Sequence, residues 1–207
     1  MQNLKNIIFD LGGVILNIDA QLTFDAFRKL GLNSSLQEEK EAMNFFFDLE
    51  RGHSTPMAFR NYIRQLIGVD IPDEEIDAAW SAMILDIPAD RVRYVEDLKR
   101  KYRIFLLSNT NEIHRLKFHR IFKESYGYSF DQLFERNYYS HEMGLRKPDQ
   151  KIFQQVLKEN RLIASETLFV DDVEENVLAA ESLGIKGLNI LPGKLLETLP
   201  ELLNNSI

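Results

Sequence analysis

The chain has 207 residues, 44% hydrophobic and 28% charged, enough for one globular core carrying a smaller insert and too apolar for a disordered chain. A net charge of −7 repels phosphate backbones and anionic bilayers, so neither nucleic acid nor a membrane surface is expected as a partner. The absence of cysteine excludes disulfides, thiolate catalysis and cysteine-ligated zinc. With no signal-peptide pattern and no apolar run of spanning length, the cytoplasm is the expected compartment.

The first predicted strand, Asn6-Ile7-Ile8-Phe9, stops abruptly at Asp10 and is followed by Gly12-Gly13. Residues 17–86 then lack any period-2 segment, and their apolar residues recur at helical spacing. Leu22, Phe24, Phe27 and Leu30 form one such set, and Phe45 to Leu49, Phe59 to Ile67 and Ile76 to Met83 form others, punctuated by Gly31, Gly52, Gly68 and Pro72. This stretch predicts several helices inserted after the first strand as a cap. Three consecutive aromatics, Phe45-Phe46-Phe47, cannot share one helical face, so at least one ring should face the cleft between cap and core.

Beyond the insert, Val92, Val95, Leu98 and Tyr102 share a helical face. A strand follows, Arg103-Ile104-Phe105-Leu106-Leu107, before Ser108-Asn109. Ile152, Phe153, Val156 and Leu157 mark a helix expected to start near Pro148, placing Lys147 at its N-terminus. Thr167-Leu168-Phe169-Val170 precedes Asp171-Asp172, and a last strand covers residues 185–190. Short, fully apolar strands alternating with helices predict an α/β fold, a doubly wound parallel sheet of Rossmann type. The expected division is residues 1–16 with 87–207 as the catalytic core and 17–86 as the helical cap, hinged near 17–20 and 88–90. His114 and His119, in a helical stretch rich in Arg and Lys, are expected at the surface.

Ligands of open parallel sheets bind beyond the carboxyl ends of the strands, so Asp10, Ser108, Asn109, Asp171 and Asp172 should converge there with Lys147. Each has a plainer reading: an Asx-turn, a helix cap or a solvated cation. Together they suit phosphoryl transfer. A phosphate ester repels nucleophiles until its charge is neutralised, a carboxylate can attack it to give an acyl-phosphate, and Mg²⁺ prefers one or two carboxylates plus phosphate oxygens. Asp10 and Asp172 offer carboxylates, Lys147 a compact positive charge, and Ser108 a neutral donor.

Phe9 to Val14, Leu107 to Thr110, Arg146-Lys147-Pro148 and Phe169 to Asp172 resemble the four ordered motifs of the haloacid dehalogenase-like (HAD) superfamily, in its helical-cap subfamily. The resemblance implies Asp10 as nucleophile, Ser108 and Asn109 as phosphoryl ligands, and Lys147 as charge stabiliser. It further implies Mg²⁺ on the Asp10 carboxylate, the Gly12 carbonyl and Asp172, with Asp171 and Asn176 beside the metal or its waters. Within the superfamily, Glu50-Arg51-Gly52 and Met143 to Pro148 are similar to segments of the bacterial α-glucose-1-phosphate phosphatases. The chain is thus expected to be a phosphatase acting on a small phosphomonoester, a sugar phosphate such as glucose 1-phosphate, with Glu50 and Arg51 on the substrate. A monomer is favoured.

One departure stands out. Such phosphatases carry a second Asp two residues after the nucleophile as general acid and base, where this chain has Gly12. Asp19 is the nearest later carboxylate. Gly12 admits two rival readings: a sensor that binds a phosphometabolite with little catalysis, or a 2-haloacid dehalogenase. The retained acidic pair weighs against the dehalogenase, the retained nucleophile, lysine and metal carboxylates together weigh against the sensor, and a mutase would need the missing acid.

Overall fold

A computed structural model describes residues 4–32 and 40–204, with the side chains of 40–42 excepted; residues 33–39 of the predicted cap lie outside the described residues. Five parallel strands form one sheet: β1 (Asn6–Phe9), β2 (Arg103–Ser108), β3 (Arg136–Tyr139), β4 (Thr167–Asp171) and β5 (Lys186–Asn189), in the order β3-β2-β1-β4-β5. Register runs Phe9 beside Leu106 on one side and Val170 on the other. The winding reverses between β1 and β4, where a doubly wound sheet opens its ligand crevice.

Successive side chains of a strand point to opposite faces, and here both faces are buried. Ile7, Phe9, Ile104, Leu106, Leu168 and Val170 pack one way, against Val92 and Val95 of α5 (Ala89–Leu98), Phe118 and Phe122 of α6 (Glu112–Tyr126), and Leu195 and Leu199 of α10 (Leu195–Asn204). Ile8, Phe105, Leu107 and Phe169 pack the other way, against Ile152, Phe153 and Val156 of α8 (Gln150–Asn160) and Ala180 of α9 (Glu174–Glu181).

Between β1 and α5 the described residues form four α-helices, α1 (Ala20–Lys29), α2 (Lys40–Glu50), α3 (Pro56–Ile67) and α4 (Asp73–Trp80), and a short 3-10 turn at Ser81–Met83. They enclose a core of their own, with Phe27, Phe46, Phe59, Ile63, Ile76 and Trp80 buried together. Each such side chain contributes about 1.5–3 kcal/mol on burial, and Ile113 of α6 completes the cluster from the sheet side. The two segments linking them to the sheet run side by side. Asn17 N–H donates to the Asp86 carbonyl at 2.9 Å, Leu85 N–H to the Asn17 carbonyl at 3.0 Å, and Ile18 bridges Ile84.

Three expectations change. The edge strand β3, with the sequence Arg-Asn-Tyr-Tyr, was not expected, because its first two residues are poor strand formers and it lacks an apolar run. The helix after Lys147 begins at Gln150 with Asp149 as its cap, so Lys147 and Pro148 form a turn ahead of it. His114 is buried rather than superficial: its ring stacks on Trp80 at 4.8 Å and Nε2–H donates to the Trp80 carbonyl at 3.0 Å. His119 is half-buried against Tyr139.

Candidate active site

The strand ends and one crossover deliver the polar residues to a single point. Asp10 follows β1, its N–H continuing the ladder to Val170 at 2.9 Å, and Asp171 closes β4. Lys147 comes from the crossover between β3 and β4. Its ammonium is 1% exposed and donates to Asp10 Oδ1 and Asp171 Oδ2, both at 2.6 Å.

Burial alone would favour neutral Lys147, but the charges of Asp10 and Asp171 outweigh it and hold its pKa above the ordinary value. Burial pushes the Asp10 carboxyl up to about 7, with Lys147 opposing the rise and Asp171 and Asp172 adding to it. Asp172 is raised as well, by burial first and by its neighbour Asp171 next. In both cases burial leads and the like charge of neighbouring carboxylates adds to it. Oxygens of Asp10, Asp171 and Asp172 lie within 4.8 Å of one another, an all-oxygen donor set suited to a hard divalent cation such as Mg²⁺.

Neighbouring groups fix these carboxylates. Asp171 Oδ1 accepts the Val173 N–H at 2.8 Å, and the Asn176 amide donates to both Asp171 oxygens at 3.2 and 3.1 Å. Asp172 packs on Gly13, whose φ of +74° places it in the left-handed region. A Cβ there would stand 2.2 Å from Asp172 Oδ2, so only glycine lets the two segments approach. The Gly13 carbonyl accepts the Gly193 N–H at 2.8 Å.

The loop after β2 is stitched to the crossover. Asn109 accepts the Lys147 N–H at 2.8 Å and donates to the Lys147 carbonyl at 2.9 Å. Ser140 Oγ accepts the Thr110 N–H and donates to the Thr110 carbonyl, which also accepts from His141 Nδ1. Ser108 is buried at the end of β2.

Glu50 and Arg51 lie where α2 ends. Glu50 Oε2 accepts from Arg146 Nε at 2.9 Å; burial raises the Glu50 carboxyl, and Arg146 and Lys147 oppose the rise. The Arg146 guanidinium sits 4.2 Å from the centre of the Phe47 ring, so Phe47 is the aromatic that leaves the helical core. Arg51 is held only loosely, 3.8 Å from Asp48. At Gly12, a Cβ would lie 3.2 Å from Ile18 Cδ1, so an aliphatic side chain covers the position of the missing acid. Asp19 is exposed and caps α1 by accepting the Gln21 N–H at 3.0 Å.

Sequence reasoning missed two supports. Arg91 is buried, donating to the carbonyls of Ile15 and Gly193 at 3.2 and 3.4 Å and so bracing the loop after β1. In sequence it is one charge among several at a helix start, with no signal to single it out. Arg146 was visible only as part of a motif. The cavity of about 500 Å³ between α3, α4 and α6 lies away from the carboxylates, and its Arg60 and Asp77 are paired with each other.

A haloacid dehalogenase-like hydrolase profile matches residues 4–184. The chain is 32% identical to a D-ribitol-5-phosphate phosphatase of Bacteroides thetaiotaomicron over 88% of this chain and 90% of that one. It is 30% identical to a sesquiterpene phosphatase of Aspergillus oryzae, over 90% and 89% respectively. A HAD-family enzyme of B. thetaiotaomicron, solved with magnesium and inorganic phosphate, superposes with a TM-score of 0.81 at 34% identity, covering 92% of this chain and 96% of that one. This chain belongs to the haloacid dehalogenase-like hydrolase family.

Proposed function

We propose that the protein is a Mg²⁺-dependent phosphatase of small polyhydroxylated phosphomonoesters, working through an aspartyl-phosphate on Asp10. The observation that carries this reading is the Asp10–Lys147–Asp171 cluster, with Asp172 beside it, at the reversal point of the sheet. Similarity to a D-ribitol-5-phosphate phosphatase supports a sugar or polyol leaving group. Glucose 1-phosphate remains the finer candidate from the motif likeness.

Lys147 holds Asp10 Oδ1 and leaves Oδ2 to attack phosphorus. The bond between phosphorus and the ester oxygen breaks as the acyl-phosphate forms, and the leaving alkoxide takes its proton from solvent water. Water then attacks the acyl-phosphate, releasing phosphate and restoring the carboxylate. Lys147 and the Ser108 hydroxyl spread the charge that develops on the phosphoryl oxygens. Asn109 spends its side chain on the Lys147 backbone, so its contribution to the phosphoryl group comes from its own N–H. Asp10, the Gly12 carbonyl and Asp172 would hold Mg²⁺, with Asp171 and Asn176 beside it, and the ion would neutralise charge at the phosphate. Helices α1 to α4 act as a lid, where Arg51 and the second oxygen of Glu50 face the substrate hydroxyls.

A phosphate-release screen over sugar and polyol phosphates, nucleotides and 2-haloacids, with and without Mg²⁺, tests the proposal. Metal-dependent release from ribitol 5-phosphate or glucose 1-phosphate supports it. Halide release alone would overturn it, as would tight binding of these esters without turnover.

A further inference from the structure

Arg146 stands next to Lys147 in the chain, yet its side chain belongs to the helical layer. Its Nε donates to Glu50 Oε2, ninety-six residues away, at 2.9 Å, and its guanidinium lies over the Phe47 ring at 4.2 Å. Both partners come from the last turn of α2. Immediately after it, Gly52 (φ +68°) rests on the backbone of His141, where a Cβ would meet the carbonyl oxygen at 2.1 Å. The turn after α2 therefore touches the sheet domain at two points, one beside Lys147 and one beside the Ser140–Thr110 stitch.

The Arg146 side chain is about one-fifth exposed and Glu50 one-quarter, so this pair is partly desolvated and less screened by salt than an exposed one. A planar guanidinium satisfies the carboxylate through Nε while presenting its face to the ring, a combination that lysine does not reproduce. Lys147 itself is pinned by Asn109 through both backbone groups and by Asp10 and Asp171 at its ammonium. Arg146 is the one neighbouring residue whose side chain reaches out of that frame to α2.

We propose that Arg146 is a positioning residue, which ties the seating of the α2 turn, through Glu50 and Phe47, to the placement of Lys147. This rests on the phosphatase reading for its kinetic consequence, and on the structure alone for its mechanical one. With the turn seated, Lys147 is held in place and Arg51 is brought to the substrate; with the turn released, both are loosened together.

The experiment pairs Glu50→Ala, Arg146→Ala and their double variant with Arg146→Lys, in steady-state kinetics and in amide hydrogen exchange of the native-length protein. Each single alanine variant is expected to lower kcat about tenfold or more, since small misplacement of a catalytic group is felt strongly. The double variant should be no worse than the poorer single one, because both remove the same link. Arg146→Lys should restore less than half of the lost rate. Exchange should quicken in residues 47–53 and 145–149 of both single variants, with α6 unchanged. Additive losses in the double variant, or unchanged exchange at 47–53, would overturn the proposal. If the native protein turns over no phosphate ester, the functional reading fails, and the exchange measurement still decides the link.

Discussion

The Asn109 side chain holds Lys147 by both of its backbone groups, accepting from N–H at 2.8 Å and donating to the carbonyl at 2.9 Å. The loop after β2 thereby sets where the ammonium of another segment stands. Asn109→Asp keeps the acceptor but replaces the donor with a second oxygen facing a carbonyl. The expected outcome is a loss of about 10²-fold in kcat. Near-native kcat in this variant would show that the Lys147 frame does not depend on Asn109.

Asp10→Asn should lower turnover by about six orders of magnitude, as removal of a nucleophile does. The fold should survive it. In the metal-free protein the buried Asp10 carboxylate is destabilised by its surroundings, its pKa being raised to about 7, so the neutral amide should leave Tm unchanged or higher in the absence of Mg²⁺. Circular dichroism melts alongside the rate assay separate these effects, and a variant that stays active excludes the aspartyl-phosphate route.

Gly13→Ala would force a Cβ to within 2.2 Å of Asp172 Oδ2 at a φ of +74°. Backbone strain of this kind costs about 1–3 kcal/mol, and Asp172 must move to relieve the clash. A lowered Tm together with weaker Mg²⁺ binding by calorimetry is expected. A fall in Tm with metal affinity intact would argue against Asp172 as a ligand.

His114 gives a pH signature in stability. Burial lowers its pKa from 6.5 to about 4, so the unfolded chain takes up the proton first. Its contribution is fully present above pH 6.5 and is lost as the pH falls towards 4, by roughly 3 kcal/mol at the acid end. His114→Phe keeps a ring against Trp80, and Thr23 still donates to the Trp80 carbonyl at 2.9 Å. Urea midpoints at pH 7 and pH 5 should therefore fall less in the variant than in the native protein. Equal falls would mean that His114 does not titrate in this window.

Much of the fold was legible because β1, β2 and β4 announce themselves: each is a short apolar run closing on a polar residue. β3 was not, since an edge strand with Arg136 and Asn137 is specified by its neighbour β2 and not by its own composition. The residues that converge at the strand ends could be read for the same reason as the strands. The frame that holds them could not, because pairs such as Asn109 with Lys147 or Glu50 with Arg146 are far apart in sequence and leave no periodic trace. His114 was misplaced by its Arg- and Lys-rich surroundings. The face of a helix that a neighbouring layer covers is decided by that layer.

Leaving-group chemistry tests the consequence of Gly12. With Ile18 over the position where an acid would stand, the departing oxygen finds no carboxylic acid there. General acid catalysis contributes typically about 10²–10⁴-fold, and most for basic alkoxides. Aryl phosphates and hexose 1-phosphates, whose leaving groups are more acidic, should show higher kcat than hexose 6-phosphates. If ribitol 5-phosphate, an ester of an ordinary primary alcohol, matches them, another group supplies the proton. Asp19 is committed to capping α1, so Glu50, whose carboxyl is raised by burial and lies within the field of Lys147, becomes the first to mutate.

The pairing of Asn17 with Leu85 and Asp86 has a consequence for how this molecule can change. Because the chain leaves the sheet domain and returns to it at adjacent points, the four helices hang from the sheet as a side branch. Lengthening, shortening or exchanging that branch need not disturb the order in which the strands are wound. Selection can rework what is admitted to the crevice while the carboxylates and lysine beneath it stay fixed, and a new specificity would then require no new chemistry.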